Sequence, residues 1–322
     1  EAVRHGFYDP VFNATSLRKE EWVKLDTEVI KAARLRLRAW SDLEAANVVS
    51  FDGWGKYIFE SETQSDVGEA LVDMDTLSED RNHAPLYKLQ GIPLPITHAG
   101  FMFSKRQLEA SRNSGTPLDT TLAEMAGRRV AEMIEKTLIG VETGMTYGGA
   151  NTLSYERASK IYGYTNFPPR ITKTNLTVPT GSNPEATVSD ILAMRDLMYA
   201  NKHFGPFIIY HSTDWDKYLD NDYARLGGNN ANQTLRNRLK EIEDISDIRR
   251  LDYLSSSTNP WTLIMVSMTK ETARAIKGME LTTVQWDSRG GLQTNFRVMA
   301  IMVPQLRADY DGNCGILHAT AA

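Results

Sequence analysis

Apolar residues form one long helical stripe in the middle of the chain. Leu118, Leu122, Met125, Ala126, Val130, Met133, Ile134 and Leu138 recur at steps of four, three and one, the spacing of a single helix face. The other face carries Glu124, Arg128, Glu132 and Lys136, each four residues on, a ladder of opposite charges. Thr116 suits the N-cap and Pro117 the first helical position, where its missing N–H costs nothing. Asp119 complements the positive helix end, and Gly140 and Gly144 mark the exit. A helix from Pro117 to Gly140 would be about 35 Å long, enough to cross a domain.

A second helical pattern runs from Leu17 to Leu43 behind a Ser16 cap, with Trp22, Leu25, Val29, Ala32 and Ala33 on one face. Its acids lie early (Glu20, Glu21, Asp26, Glu28) and its bases late (Lys31, Arg34, Arg36, Arg38), as the helix dipole favours. Residues 1–16 lack such a pattern and read as an extended arm. After the turn cluster Phe51–Gly55, segments Lys56–Glu62 and Glu69–Asp75 flank Thr63–Gly68 and predict a β-hairpin. A two-stranded ribbon is marginal alone, so this one must lie on the chain's own body or on another copy. Leu86–Leu89 and Thr97–Phe103 predict a further strand pair around the GIPLP turn.

Tyr147–Pro169 reads as loops and short strands. Asn183 and Pro184 predict a helix start, with Ile191, Met194, Leu197 and Met198 buried. Phe204–Tyr210 predicts a buried strand, and Thr213 or Asp214 a short helix holding Trp215, Tyr218 and Leu219. Arg225–Gln233 predicts a mobile polar loop. Strands are expected at Ile248–Leu254, Trp261–Met268, Leu281–Trp286, Gln293–Arg307 and Gly315–Ala319, with a helix from a Thr269 cap through Ile276. Helices and strands do not alternate regularly, so the class is α+β.

Composition narrows the function classes. The 322 residues are 41% hydrophobic and 24% charged, ordinary for a globular protein with a sizeable core. The net charge of −5 disfavours a protein that grips nucleic acid by neutralising phosphates. Cys314 is the single cysteine, so neither an internal disulfide nor a cysteine metal cluster is expected, which fits a reducing cytoplasm. No apolar run approaches the roughly 18 residues of a membrane span. The opening EAVRHGFYDP lacks the apolar stretch of a signal peptide, and without an initiating Met it reads as trimmed or processed.

No chemistry-bearing motif emerges. The glycine pairs at 148–149, 227–228 and 290–291 have neither the Lys-Ser/Thr nor the GxGxxG setting of a phosphate cradle. His211, Ser212 and Asp214 are neighbours in sequence, whereas triad members converge from different elements. Asp309, Asp311, Gly312 and Asn313 resemble a calcium loop without its closing Glu and read as a turn. The six histidines form no metal-binding pair. No catalytic, cofactor-binding or metal-binding residue is therefore expected, and a hydrolase using His211 and Asp214 is the enzymatic alternative.

The order of elements resembles a known family. An N-terminal arm and helix, an extended hairpin (Phe51–Asp75), a long spine helix (Pro117–Gly140), an α/β lobe (Asn183–Ile276) and a long closing strand (Gln293–Arg307) follow one another. That series resembles the Hong Kong 97-type major capsid protein of tailed bacteriophages, related to encapsulin shells. Arg18–Asp26 is similar to the start of the encapsulin N-terminal helix. Lys202–Tyr210, Trp215–Leu219 and Thr269–Gly278 resemble the encapsulin lobe near the capsomer axis.

The resemblance implies five regions: an arm and helix (1–47), an extended loop with return strands (48–104), a peripheral domain with the spine helix (105–182), an axial domain (183–276) and closing strands of the peripheral domain (277–322). It implies a non-enzymatic major capsid protein that self-assembles, as pentameric and hexameric capsomers, into an icosahedral shell around a double-stranded DNA phage genome. Portal and scaffold or cement proteins are implied partners, with the DNA packaged without sequence-specific contact and no membrane. The location implied is the virion capsid, assembled in the host cytoplasm. The extended loop would lie over a neighbouring subunit. In some relatives a Lys of that loop crosslinks to an Asn; Lys56 lies on the hairpin, but no Asn here has a matching context. An encapsulin-type compartment shell is the alternative, and the chain is long for one. The acidic charge agrees with a shell whose contents must slide past it during packaging.

Overall fold

A computed structural model describes residues 19–34, 36–66, 74, 84–114, 120–140, 161–180, 183–221, 233–254 and 261–321. Helices are α1 (Lys19–Arg34), α2 (Arg38–Ala46), α3 (Lys105–Ser114), α4 (Thr121–Ile139), α5 (Pro184–Ala200), α6 (Asp216–Leu219) and α7 (Leu235–Lys240). Strands are β1 (Val48–Ser50), β2 (Ile58–Gln64), β3 (Tyr87–Pro93), β4 (Thr97–Ser104), β5 (Ile171–Leu176), β6 (Phe207–His211), β7 (Ile245–Arg250), β8 (Thr262–Ser267), β9 (Ala273–Ser288), β10 (Gln293–Leu306) and β11 (Ile316–Ala321). Two compact units result: residues 1–57, 94–144 and 274–304 form one, and 58–93, 145–273 and 305–322 the other.

The first unit layers helices on a four-stranded sheet of order β1-β9-β10-β4. Strand β1 runs parallel to β9, with Val48 opposite Ala275. Strands β10 and β4 are antiparallel, from Gln293 opposite Ser104 to Ala300 opposite Thr97. Alternation sends Phe296, Phe101 and Phe103 to the helix-covered face. Phe101 stacks on Phe296 at 5.1 Å between ring centroids, and Phe103 and Trp22 of α1 meet Phe296 edge-on at 5.7 and 5.9 Å.

The spine helix is confirmed, but its buried face is rotated from the predicted one. Its described span starts at Thr121; the expected cap and first turn, Thr116–Asp119, lie outside the described residues. Its inward residues are Ala123, Ala126, Gly127, Val130, Ala131, Ile134, Glu135, Leu138 and Ile139. Leu122, Met125 and Met133 are instead exposed. Small residues win the inner face because α1 approaches closely: a Cβ on Gly127 would lie 2.8 Å from the carbonyl oxygen of Val29. Gly127→Ala is expected to destabilise the protein by about 2 kcal/mol, checked by denaturant unfolding; unchanged stability would mean that the two helices do not pack this tightly.

The single helix expected from Leu17 to Leu43 is two helices. Leu37 leaves the helical region (φ −84°, ψ 78°), and the N–H groups of Arg36 and Leu37 both turn back to the carbonyl of Ala33. Residues 1–18, including the expected arm and Ser16 cap, lie outside the described set. The helix expected from Thr269 through Ile276 is likewise corrected. Thr272 and Ala273 close a turn on the Thr269 carbonyl at 3.1 Å, and the chain then extends into β9, where the Ala275 N–H donates to the Asn47 carbonyl. Pairing with β1 overrides a favourable local helix propensity.

The second unit holds a five-stranded sheet of order β5-β11-β8-β6-β7. Strands β8 and β6 pair antiparallel, while β6 with β7 and β11 with β5 are parallel. Helix α5 starts after Asn183 with Pro184 in its first turn, as expected. It buries Val188, Ile191, Met194 and Met198 against Phe207, Met265 and Leu317. Leu197, expected inside, is partly exposed. Lys173 of β5 pairs with Asp190 of α5 at 2.6 Å, and the same carboxylate accepts from the Thr177 N–H. Within the loop expected at Arg225–Gln233, only Gln233 is described.

The hairpin exists with a different partner strand. Strand β2 pairs antiparallel with β3, from Ile58 opposite Pro93 to Gln64 opposite Tyr87. The expected partner, Glu69–Asp75, lies outside the described residues apart from Met74. The two extended segments expected on either side of GIPLP are both strands, in separate sheets: β3 joins β2, and β4 joins β10.

Candidate assembly surfaces

The most deeply set acid is Glu135 on α4. Only 2% exposed, it accepts hydrogen bonds from the Ala39 and Trp40 N–H groups at 2.7 and 3.1 Å. Those are first-turn donors of α2 that no residue of the helix itself can satisfy. Glu135 is thus an N-cap supplied from another helix. Burial pushes its carboxyl up to about 7; backbone hydrogen bonds from Ala39, Trp40 and, least, Arg38 pull it down, and Asp42 adds a smaller upward push. Nearby in the same unit, Lys277 of β9 pairs with Glu44 of α2 and with Glu280 at 2.8 Å.

His211 ends β6 in a fully buried position. Its Nδ1 lies 2.9 Å from the Ser212 carbonyl, and its Nε2 faces Arg236 at 3.5 Å and Asp216 at 3.7 Å. Desolvation holds the imidazole below its usual pKa, with Arg236 and Arg250 adding to that against the pull of Asp216. Asp216 itself accepts from Arg236 at 3.1 Å and Arg250 at 3.0 Å, and these bonds keep it ionised below the ordinary carboxylate range. The ring faces a backbone carbonyl on one side and an ion-pair network on the other, which is a structural setting. Asp309 spends both oxygens on Asn313, accepting from its backbone N–H and its side-chain amide at 2.7 Å each. That is a turn lock, in agreement with the sequence reading. Burial pushes the Cys314 thiol up to about 12, leaving too little thiolate for reactivity near neutrality. Among the described residues no group of three or more His, Cys, Asp or Glu is placed to hold a metal ion, and no helix is long and apolar enough to cross a membrane.

Chemistry accumulates on the exterior instead. On the hairpin, β2 anchors one face: Thr63 is buried, and the Ser61 hydroxyl accepts from Gln305 Nε2 at 2.8 Å. Arg307 also donates to the Glu62 carbonyl at 3.3 Å. The other face presents Glu60 and Glu62, with Leu89 opposite Glu62 and Tyr87 opposite Gln64. Tyr87 and Leu89 are 63% and 43% exposed. Neither carboxylate has an ionic partner among the described residues. Lys56, just before β2, sits 5.2 Å over the Phe51 ring.

A second surface is the outward face of the four-stranded sheet. Parity puts Arg297 there because its neighbours Phe296 and Val298 point inward. The guanidinium lies 5.1 Å over the ring of Trp286 on β9, a cation–π arrangement. Directly across the ladder is Gly100, which adds no side chain, and Met102 stands beside it 58% exposed. Arg297 has no carboxylate partner among the described residues. A third surface is the outer side of α4, with Leu122, Met125 and Met133 in one row and Arg128 and Arg129 both near Glu132 at 3.7 and 3.6 Å.

Sequence reasoning marked the hairpin as an element to be covered and the charge ladder of the spine helix as an outer face, but not the β2–β3 pairing, the Arg297–Trp286 pair or the exposed Leu122, Met125 and Met133. Glu135 was legible in principle, as the one acid inside an apolar run (Ile134, Leu138, Ile139).

Comparison with known proteins places this arrangement. A sequence family described as a family of unknown function, DUF6260, matches residues 13–319. No curated protein matches by sequence. Among solved structures, the virus-like particle from Pyrococcus furiosus is similar over 93% of this chain and 99% of its own, with a TM-score of 0.61 at 16% identity. A chain from Mycobacterium phage Bobi is similar over 98% and 93% (TM-score 0.58, 12% identity), and the capsid of Myoviridae phage XM1 over 86% and 90% (TM-score 0.57, 12% identity). The fold is the α+β Hong Kong 97-type capsid fold.

Proposed function

This chain belongs to the DUF6260 family, whose function is unknown, and from that starting point we propose that it is a major capsid protein, the repeated subunit of an icosahedral shell around a double-stranded DNA phage genome. The observation that carries the reading is the near end-to-end fold likeness to shell subunits: 93% of this chain against 99% of the virus-like particle chain. The buried, neutral His211 and the locked Asp309 turn fit a structural role.

In this reading the four-stranded sheet with α1 and α4 is the peripheral lobe, and the five-stranded sheet with α5 is the axial lobe, arranged around fivefold and sixfold axes. The β2–β3 ribbon is the extended loop, lying on a neighbouring subunit. Self-association into capsomers, with portal and scaffold or cement proteins as further partners, completes the assembly in the host cytoplasm. A compartment shell of encapsulin type is the second reading, favoured by the likeness to the Pyrococcus furiosus particle.

The test is electron microscopy of the purified full chain under assembly conditions. Closed shells or isolated capsomers are expected. A monomer that stays monomeric across salt, concentration and crowding conditions would overturn both readings. Particle contents separate them: packaged DNA and a portal argue for a virus, an enclosed enzyme for a compartment.

A further inference from the structure

We infer that the face of the five-stranded sheet turned away from α5 binds a small phosphate-type oxyanion, gripped by the Arg170 guanidinium with Thr172 of β5 and His318 of β11. The inference does not depend on the shell reading.

The two faces of this sheet are unlike. Ile171 and Leu317, paired across β5 and β11, pack on the α5 side together with Leu176 and Ala319. Alternation turns the next pair, Thr172 and His318, to the other side. Thr172 is exposed there and His318 half-buried. Farther along the same row come Ile264 of β8 and Tyr210 of β6, both fully buried. Tyr164 stacks on Tyr210 at 6.2 Å and covers that end. The turn that carries Tyr164 is fixed by Gly163, which accepts from the Phe167 N–H at 3.0 Å and donates to Asn166 Oδ1 at 2.7 Å.

Arg170 leaves this turn without a counter-charge. Its backbone N–H and its Nη1 both donate to the Phe167 carbonyl, at 3.1 and 2.9 Å, which anchors one corner of the guanidinium. Its Nε is enclosed and lacks an acceptor, and no carboxylate pairs with it among the described residues. His318 has no hydrogen-bond partner among the described residues either. Burial, with a smaller push from the Arg170 charge, holds the imidazole down to about 4. The sheet itself offers no acid nearby, since β5, β11 and β8 contain neither Asp nor Glu. On the α5 side, by contrast, Lys173 is matched by Asp190 at 2.6 Å.

These donors suit an anion with several oxygens. The Nε–Nη2 edge of a guanidinium presents two parallel N–H groups to one phosphate. A third oxygen can accept from the Thr172 hydroxyl, and a neutral imidazole has one N–H to give. An enclosed donor without an acceptor and a desolvated charge without a partner both cost stability, and a bound oxyanion relieves both. A nucleic-acid backbone calls for a row of cations, which a single guanidinium on a chain of net charge −5 does not provide. The ligand is therefore free phosphate or a small phosphomonoester.

The test is equilibrium dialysis of the full chain against radiolabelled inorganic phosphate near pH 7, with ionic strength held by chloride. Saturable binding of one phosphate per chain is expected. Arg170→Gln should weaken it at least about tenfold, and Thr172→Val should weaken it less. Arg106→Gln, which removes an exposed cation on α3, should leave it unchanged. Phosphate should raise the melting temperature of wild type but not that of Arg170→Gln. Circular dichroism matching wild type separates lost binding from misfolding. If Arg170→Gln does not fold, Arg170→Lys keeps the charge without the fork and should bind with intermediate affinity. Glycerol phosphate should displace the label, and a blunt DNA duplex at equal phosphate concentration should not. Equal displacement by the duplex would overturn the small-ligand assignment in favour of a nucleic-acid backbone. Absence of saturable binding, or binding untouched by loss of the Arg170 fork, would overturn the inference. Neither result depends on whether particles form, so the shell reading stands or falls separately.

Discussion

Glu135→Ala is expected to lower the unfolding free energy of the subunit by about 3 kcal/mol. Two effects add. The Ala39 and Trp40 N–H groups lose their acceptor in a dry interior, where each unsatisfied donor costs about 1–3 kcal/mol. A cavity also opens beside α2. Glu135→Gln keeps the shape and an acceptor oxygen but cannot ionise, so it isolates the charge. The carboxyl is raised by burial to about 7 from 4.5. Between those values the folded subunit holds a proton that the unfolded chain has released. The resulting stability is fully present below about pH 4.5 and is lost as pH rises through about 7, a span worth about 3 kcal/mol at 1.36 kcal/mol per unit. Unfolding of wild type and Glu135→Gln should therefore diverge between about pH 5 and pH 8, with wild type losing ground as pH rises. Parallel pH profiles would mean that Glu135 does not titrate in that window.

The same residue shows why part of the fold was not legible. The α1–α2 break has no Pro or Gly to announce it; Arg36 and Leu37 suit a helix interior. The group that stabilises the break is 96 residues from Ala39, and local propensity cannot register it. Where signals are local they sufficed. Asn183 followed by Pro184 located α5, and the alternation after the Arg-Gly-Gly turn located β10. Strand pairing is non-local, so β2 was given the nearest downstream segment with alternation, not β3. The spine helix was phased by its largest apolar residues, yet close helix approach selects the smallest, and Gly127 over Val29 decides the matter. That error had a useful side. Leu122, Met125 and Met133, assigned to the core from their hydrophobicity, are surface residues, the kind of exposed apolar row that marks an interaction site. The Arg297–Trp286 surface escaped notice for a related reason: it is a juxtaposition across strands, with Trp286 and Arg297 meeting only once the β9 and β10 register exists.

Phe296→Ala should be the most damaging single substitution, at about 4 kcal/mol. The ring is fully buried and meets three other aromatic residues, Trp22, Phe101 and Phe103, at 5.1 to 5.9 Å. Removing it empties the centre of that cluster and forfeits the pair geometry as well as the buried area. Phe296→Leu keeps most of the volume and should cost less than half as much. Denaturant unfolding measures both. The consequence for assembly follows from strand parity. Phe296 inward is what puts Arg297 outward, because a slip of one residue would send every side chain of β10 to the other face. Loosening Phe296 should therefore weaken particle formation even at temperatures where the subunit stays folded. Arg297→Ala should do the converse, changing subunit stability by no more than about 0.5 kcal/mol while suppressing assembly. If Phe296→Ala leaves stability within about 1 kcal/mol of wild type, the aromatic cluster is not the centre of this sheet's packing, and the outward placement of Arg297 loses its physical cause.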